Sequence, residues 1–175
     1  TYWEKSVTEQ SMRKPLQLIK ERMADEIGSH FQQGPKRVAM LYPSPYRAGM
    51  SSLGYQWTIE ILARAGFSVE RVFLPDDVDA WKKSGGVLCS YETQTPLSHF
   101  SVVGVSLAYE LEMAGMIQCL ELAGIAALRE ARSHKDPIFI LGGPITFSNP
   151  LPSSPFVDAI LLGEVEETIV PAFSA

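Results

Sequence analysis

The amino-acid sequence predicts an α/β fold, a doubly wound and mostly parallel five-stranded sheet with an extra helix at the N-terminus. Three observations carry this prediction. Short apolar runs bounded by turn residues recur at 37–42, 68–74, 101–107, 137–141 and 157–162. Segments with helical spacing stand at about 51–65, 76–83, 109–132 and 164–173. The runs are nearly continuous in Val, Ile and Leu, which marks strands of a parallel sheet covered on both faces.

Each element has its own justification. The first 36 residues are polar, but Leu16, Ile19, Met23 and Ile27 recur at helical spacing and Gly28 lies where a C-cap belongs. Residues 1–36 are therefore read as a helical extension packing on a main domain, 37–175, after the loop Gly34-Pro35. RVAMLY is the first strand and SVERVFL the second. The segment from Lys83 to Leu97, with Gly85-Gly86 and the strand-like VLCSY, reads as an insertion or edge hairpin. In 109–132, Leu111, Ala114, Ile117, Leu120 and Gly124 mark one helical face. PIFIL and VDAILL supply the last two strands, and 164–173 the final helix.

Composition bounds the function. The 175 residues suit one domain, which at this size buries roughly 70% of its unfolded surface. Apolar residues make up 46% and charged residues 20%, which excludes a disordered body. No apolar run reaches the ~20 residues of a membrane-spanning helix. A net charge of −5 without a Lys/Arg stripe argues against nucleic-acid binding. Two cysteines, Cys89 and Cys119, exclude a disulfide scaffold and any four-thiolate metal site within this chain, and they fit a reducing, cytoplasmic setting. Because the chain begins with Thr1 and not Met, it is expected to be a piece of a longer polypeptide.

Ligands of such sheets bind outside the carboxyl ends of the strands, near the topological switch point. That rule singles out four loops: Pro43–Gly54, Ala108–Glu110, Gly142–Pro150 and Gly163–Glu167. In the first, Gly49 and Gly54 have P-loop spacing, but Tyr55-Gln56 replaces the Lys-Ser/Thr that would meet phosphate and magnesium. No G-x-G-x-x-G follows a strand, so the dinucleotide fingerprint is absent. Ser51 and Ser52 open a helix, as an N-cap or as part of an anion or amide site. Gly104-Val105-Ser106-Leu107-Ala108 imitates a nucleophile elbow, yet no histidine is placed to complete a triad. Ser106 suits a ligand hydrogen bond or a close-packed strand end. Glu110 and Glu112 point to different sides of a helix and form no dyad. Glu166 and Glu167 fit the dipole of the last helix, whereas Glu164, following Gly163, can accept from a ligand. Gly142-Gly143-Pro144 lets a flat ligand approach the backbone, or makes a tight turn. His30, His99 and His134 are too scattered for a metal site, and none is expected.

The segments YPSPYRAGMSSLG, ERVFLPD, PLSHF, SLAYEL, LAGI, GGP, NP and FVDAILLGEVEE, in this order, resemble the N-terminal cobalamin-binding-like domain of a family of radical S-adenosylmethionine (SAM) proteins. The resemblance spans about Arg37 to Ala172. It implies a flavodoxin-like, Rossmann-type domain before a barrel that binds a 4Fe–4S cluster and S-adenosylmethionine through a C-x-x-x-C-x-x-C motif absent from this chain. Cobalamin domains of the methionine-synthase type carry D-x-H-x-x-G in the first loop. Set against Gly49, this chain has Ser44 and Tyr46 at the Asp and His positions; set against Gly54, it has Gly49 and Ser51. Neither register supplies an imidazole for cobalt. The family's S-x-L is matched in Ser106 alone, and its Gly-Gly by Gly142-Gly143, residues that make room for the cofactor's nucleotide tail.

The leading expectation is an accessory domain that holds a corrinoid or a substrate against the barrel of the same polypeptide. Its pocket would draw on Tyr42, Ser44, Tyr46, Arg47, Gly49, Ser51, Ser52 and Gly54 after the first strand, with Arg47 meeting a phosphate or propionamide. Ser106, Leu107, Tyr109 and Glu110 would follow from the third, Gly142, Gly143 and Pro144 from the fourth, and Gly163 and Glu164 from the fifth. No catalytic residue is assigned, and the excised domain is expected to turn nothing over by itself. The alternative is a docking or substrate-binding module without cofactor, using aromatics such as Tyr46, Tyr55, Trp57, Phe147 and Phe156. A free-standing flavin or nucleotide binder is a third reading.

Overall fold

The computed structural model describes residues 15–28 and 33–174. Five strands, β1 (Lys36–Tyr42), β2 (Phe67–Phe73), β3 (Val102–Ser106), β4 (Ile138–Gly142) and β5 (Ala159–Ile160), form one sheet in the order β2-β1-β3-β4-β5. Every pairing is parallel. This is the flavodoxin-like order, with the switch point between β1 and β3. Helix α1 occupies 15–25; α2 (Tyr46–Met50) and α3 (Leu53–Arg64) follow β1. Helices α4 (Val78–Lys83), α5 (Glu112–Leu122) and α6 (Val165–Ser174) follow β2, β3 and β5.

Strand alternation divides the sheet into two buried faces. Met40, Gly104 and Ile140 share a rung on one face, which α3 and α6 cover while packing on each other. Leu41, Val105 and Leu141 form the neighbouring rung and are fully buried on the other face. That face needs a second cover, which α5 supplies with Met116, Cys119 and Leu120. Local chemistry fixes the helix starts. Ser52 Oγ accepts the Tyr55 N–H and caps α3, and Asp77 Oδ1 does the same for Ala80 and α4.

Several expected boundaries move. The helix expected over 109–132 begins only at Glu112 and ends at Leu122, because Gly124 turns into the left-handed region (φ +68°) and a short 3₁₀ turn, Arg129–Ala131, follows. Its buried face is Glu112, Gly115, Met116, Cys119 and Leu120, so Leu111, Ala114 and Gly124 are exposed. Part of the expected first loop is helical, as α2. The strand expected at 157–162 pairs regularly only at Ala159–Ile160, although Leu161 N–H still donates to Leu141 O. In α1, Ile19 is buried and Leu16 and Met23 are half-buried, but Ile27 lies beyond the helix and is exposed.

The 84–97 segment covers the outer edge of β2. Tyr91 N–H donates to Arg71 O, Glu92 accepts from the Arg71 N–H, and one antiparallel bridge joins Cys89 to Pro96. An edge so covered cannot template further strands. Residues 1–14 and 29–32 of the extension, His30 included, lie outside the described residues.

Both cysteines are free and buried. Burial pushes the Cys89 thiol up to about 11 and that of Cys119 well up. Because the thiolate is the reactive form, both are expected to react with a thiol reagent on the order of 100-fold or more slowly in the native protein than in urea. A fast native phase in an Ellman assay would contradict this burial.

Candidate functional site

Above the rung of Met40, Gly104 and Ile140, the next positions on the same face are Tyr42, Ser106 and Gly142, with Ser106 opposite Gly142. The side chains shrink from β1 to β4, and α3 and α6 cannot follow the step. A cavity of about 300 Å³ opens between this surface and the two helices, at the carboxyl ends of β1, β3 and β4. Gly104 closes its floor: a Cβ there would collide with Met40 Sδ and Phe173, so only glycine lets Phe173 of α6 lie on the sheet. At Gly142 the situation is reversed. A Cβ there would meet nothing within 4 Å, so the missing side chain leaves open cavity.

The walls are nearly without free polar groups. Thr58, Thr146 and Thr168 turn their hydroxyls back to the carbonyls of Gly54, Gly143 and Glu164, at 2.8, 2.8 and 2.9 Å. Ser106 Oγ has no hydrogen-bond partner among the described residues and stands free at the cavity. No Lys, Arg or His among them lines it. The cavity therefore suits an uncharged, largely apolar group that offers one polar atom to a hydroxyl.

The switch point is tied across by a side chain that sequence reasoning set aside. Glu112, buried at the first turn of α5, accepts from Ser44 Oγ after β1 (3.1 Å) and from the Ala108 N–H after β3 (2.6 Å). The helix dipole favours a carboxylate there. Burial, then the nearby Glu112 charge, raises the Tyr42 phenol above its ordinary range, so Tyr42 stays a neutral donor. The available signal was the acid itself, in the first turn of a helix that follows a strand end. On the outer side, Trp57 Nε1–H donates to Glu166 Oε1 (2.6 Å) and clasps α3 to α6. That bond holds the Glu166 carboxyl below its usual value.

Of the residues expected at the site, Tyr42, Ser52, Gly54, Ser106, Gly142, Gly143, Pro144, Gly163 and Glu164 line the cavity. Ser44 instead joins Glu112, Ser51 Oγ donates to Arg47 O at the C-terminal end of α2, and the Arg47 side chain is exposed. Gly49 packs under the Phe73 ring, and Leu107 is buried. Tyr109 and Glu110 are exposed on the loop after β3. Tyr46 points away: it stacks on Tyr91 at 5.2 Å and donates to Glu26 Oε1 at 2.6 Å. Burial, then that bond, pushes its phenol up to about 12. The α6 wall of Thr168, Ile169 and Phe173 was not foreseen, although Thr168 lies one helical turn after Glu164.

The model of the family described as "Radical SAM proteins, N-terminal" matches residues 54–175. The chain belongs to this family. The match takes in Gly54, Ser106, Gly142, Gly143, Gly163 and Glu164, but it begins after β1, Tyr42 and Ser52. An uncharacterized protein of Methanocaldococcus jannaschii is 24% identical over 131 residues, which cover 75% of this chain and 24% of that protein. The chain thus spans about a quarter of the curated relative it matches. Within this radical SAM N-terminal domain, no group of three or more His, Cys, Asp or Glu among the described residues could hold a metal ion. No helix among them is long and apolar enough to cross a membrane.

Proposed function

We propose that this radical SAM N-terminal domain is a cobalamin-binding-like accessory domain, which holds the nucleotide-tail base of a corrinoid in the cavity beside Gly142. The observation carrying the reading is the unfilled space over Gly142, opposite the free hydroxyl of Ser106. At about 300 Å³ the cavity is at the small end of ligand sites, which run roughly 300–1,000 Å³, so it takes one ring system and not a whole corrinoid. Its cation-free lining favours the base over the phosphodiester. The rest of so large a cofactor has to lie outside, over the strand ends.

When bound, the corrinoid supplies cobalt-centred alkyl-transfer chemistry; the chain's own residues bind and orient it. Ser106 donates to or accepts from the base, Tyr42 and Glu164 border the mouth, and Glu112 keeps the loops after β1 and β3 in register. His99 and His134 sit before β3 and β4, at the amino ends of the strands, so neither is placed to ligate cobalt. The 4Fe–4S cluster and S-adenosylmethionine belong, in this reading, to the radical SAM barrel of the same polypeptide. The domain division into an extension, 1–36, and a binding domain, 37–175, goes with it.

Hydroxocobalamin added to the protein and passed through a desalting column is expected to co-elute with a perturbed visible spectrum. Gly142→Leu fills the cavity and is expected to lower retention at least tenfold with an unchanged far-UV circular dichroism spectrum. If the parent chain retains no corrinoid, the alternative gains: a cofactor-free docking or substrate-binding module of the same protein, favoured by the exposed apolar side chains around the cavity mouth.

A further inference from the structure

Loops at the carboxyl ends of strands usually face water with polar side chains, and these do not. Leu53 follows β1, Tyr109 and Leu111 follow β3, Phe147 and Leu151 follow β4, and Leu162 follows β5, with exposures from 50% at Tyr109 to 81% at Leu53. Half of the twelve large exposed apolar side chains among the described residues therefore lie in connections at one end of the sheet, the end at which the cavity opens, and Phe147 lines the cavity itself. A collar of this kind, assembled from four separate connections, is an interaction surface and not scatter. Leu111 sharpens the point. It holds the N-cap position of α5 with no side-chain cap, where Ser, Thr, Asp or Asn would serve the helix better, and it is 80% exposed. Among the described residues its side chain is not part of the buried core.

We infer that this collar is the face on which the radical SAM portion of the polypeptide docks, closing the cavity mouth beneath it. The occupant follows from two facts: the family is defined on the N-terminal part of radical SAM proteins, and the matched relative extends to about four times the matched length. Charge describes its surface. Glu110 follows β3 in the same connection as Tyr109 and Leu111, Glu164, Glu166 and Glu167 follow β5 after Leu162, and Arg47 follows β1. These connections carry more acid than base, so the occupant's docking face is apolar at its centre and basic at its edge. The inference rests on the accessory-domain reading but not on the corrinoid.

The test uses the full-length polypeptide without corrinoid. Leu111→Cys and, as a reference at the opposite end of the sheet, Leu128→Cys are labelled with a maleimide, and each site is quantified on its own peptide by mass spectrometry. Labelling at 111 is expected to be at least tenfold slower than at 128, and the combined Leu111→Glu, Phe147→Glu variant is expected to speed tryptic separation of the two portions. Equal labelling rates at 111 and 128 would overturn the inference. So would protection at 111 that vanishes on dilution as a dimer becomes a monomer, since the occupant would then be a second copy. Corrinoid retention by the desalting assay is a separate readout, so either reading can fail alone.

Discussion

Arg71→Met is expected to destabilise the domain by about 3–5 kcal/mol, measured by urea unfolding at neutral pH, because it strands two carboxylates in the interior. Arg71 lies in β2 with a side chain 9% exposed. Its Nη atoms donate to both oxygens of Glu26, at 2.8 and 2.9 Å, and its Nε to Glu92, whose side chain is 3% exposed. Burial opposes the guanidinium charge, but hydrogen bonds and charge from Glu26 and Glu92 more than offset it and hold the group above its ordinary value. Burial also raises the Glu92 carboxyl, against the pull of Arg71. Ionisation of a carboxyl with a raised folded pKa weakens the fold as pH rises through that pKa, and without Arg71 the penalty grows. The loss in Arg71→Met should therefore be largest above the raised value and shrink as pH falls toward the ordinary carboxylate range of about 4. A loss that stays constant between pH 7 and pH 5 would mean that packing, not charge, holds the network together. Converting the partners as well, in Arg71→Met with Glu26→Gln and Glu92→Gln, should recover part of the stability.

This network explains why the sheet was legible in the sequence while parts of the site were not. Strand positions and sheet type follow from apolar runs, and tertiary packing had little to overrule there. Glu70 and Arg71, adjacent in the middle of a strand whose every residue is buried, were the signal that an internal ion-pair cluster had to exist. Their partners Glu26, Glu92 and Arg37 come from 21 to 45 residues away, and no local pattern names them. Tyr46 shows the same limit. Its loop is at the strand ends as expected, but Glu26 and Tyr91 draw the ring to the β2 side, away from the cavity. On α5, periodicity alone placed Leu111 and Ala114 inward. The helix is instead oriented by Gly115, whose Cβ would collide with Pro43 O, so the closest approach to the loop after β1 decides which face is buried.

The adjacent glycines at the end of β4 should behave oppositely, and their difference separates architecture from ligand binding. Gly143 has φ +100° and ψ 178°, a backbone region that is essentially glycine's alone. A Cβ on it would stand 2.6 Å from Leu107 O and 3.0 Å from Leu107 N. Neither atom can yield, because Leu107 N–H donates to Gly142 O and Leu107 O accepts from the Ile145 N–H, the bonds that lace the end of β3 to the turn after β4. Gly143→Ala thus combines backbone strain with a clash against hydrogen-bonded main chain, and about 2–5 kcal/mol of stability is expected to be lost. Gly142 has no positive φ, and its Cβ would point into open cavity, so Gly142→Ala should change stability by no more than ~0.5 kcal/mol. If both substitutions cost the same in urea unfolding, the pair is only a tight turn and Gly142 loses its claim to a ligand. If Gly142→Ala is neutral while Gly143→Ala is costly, the fold does not require the first glycine, which is the result that the proposed binding role of Gly142 expects.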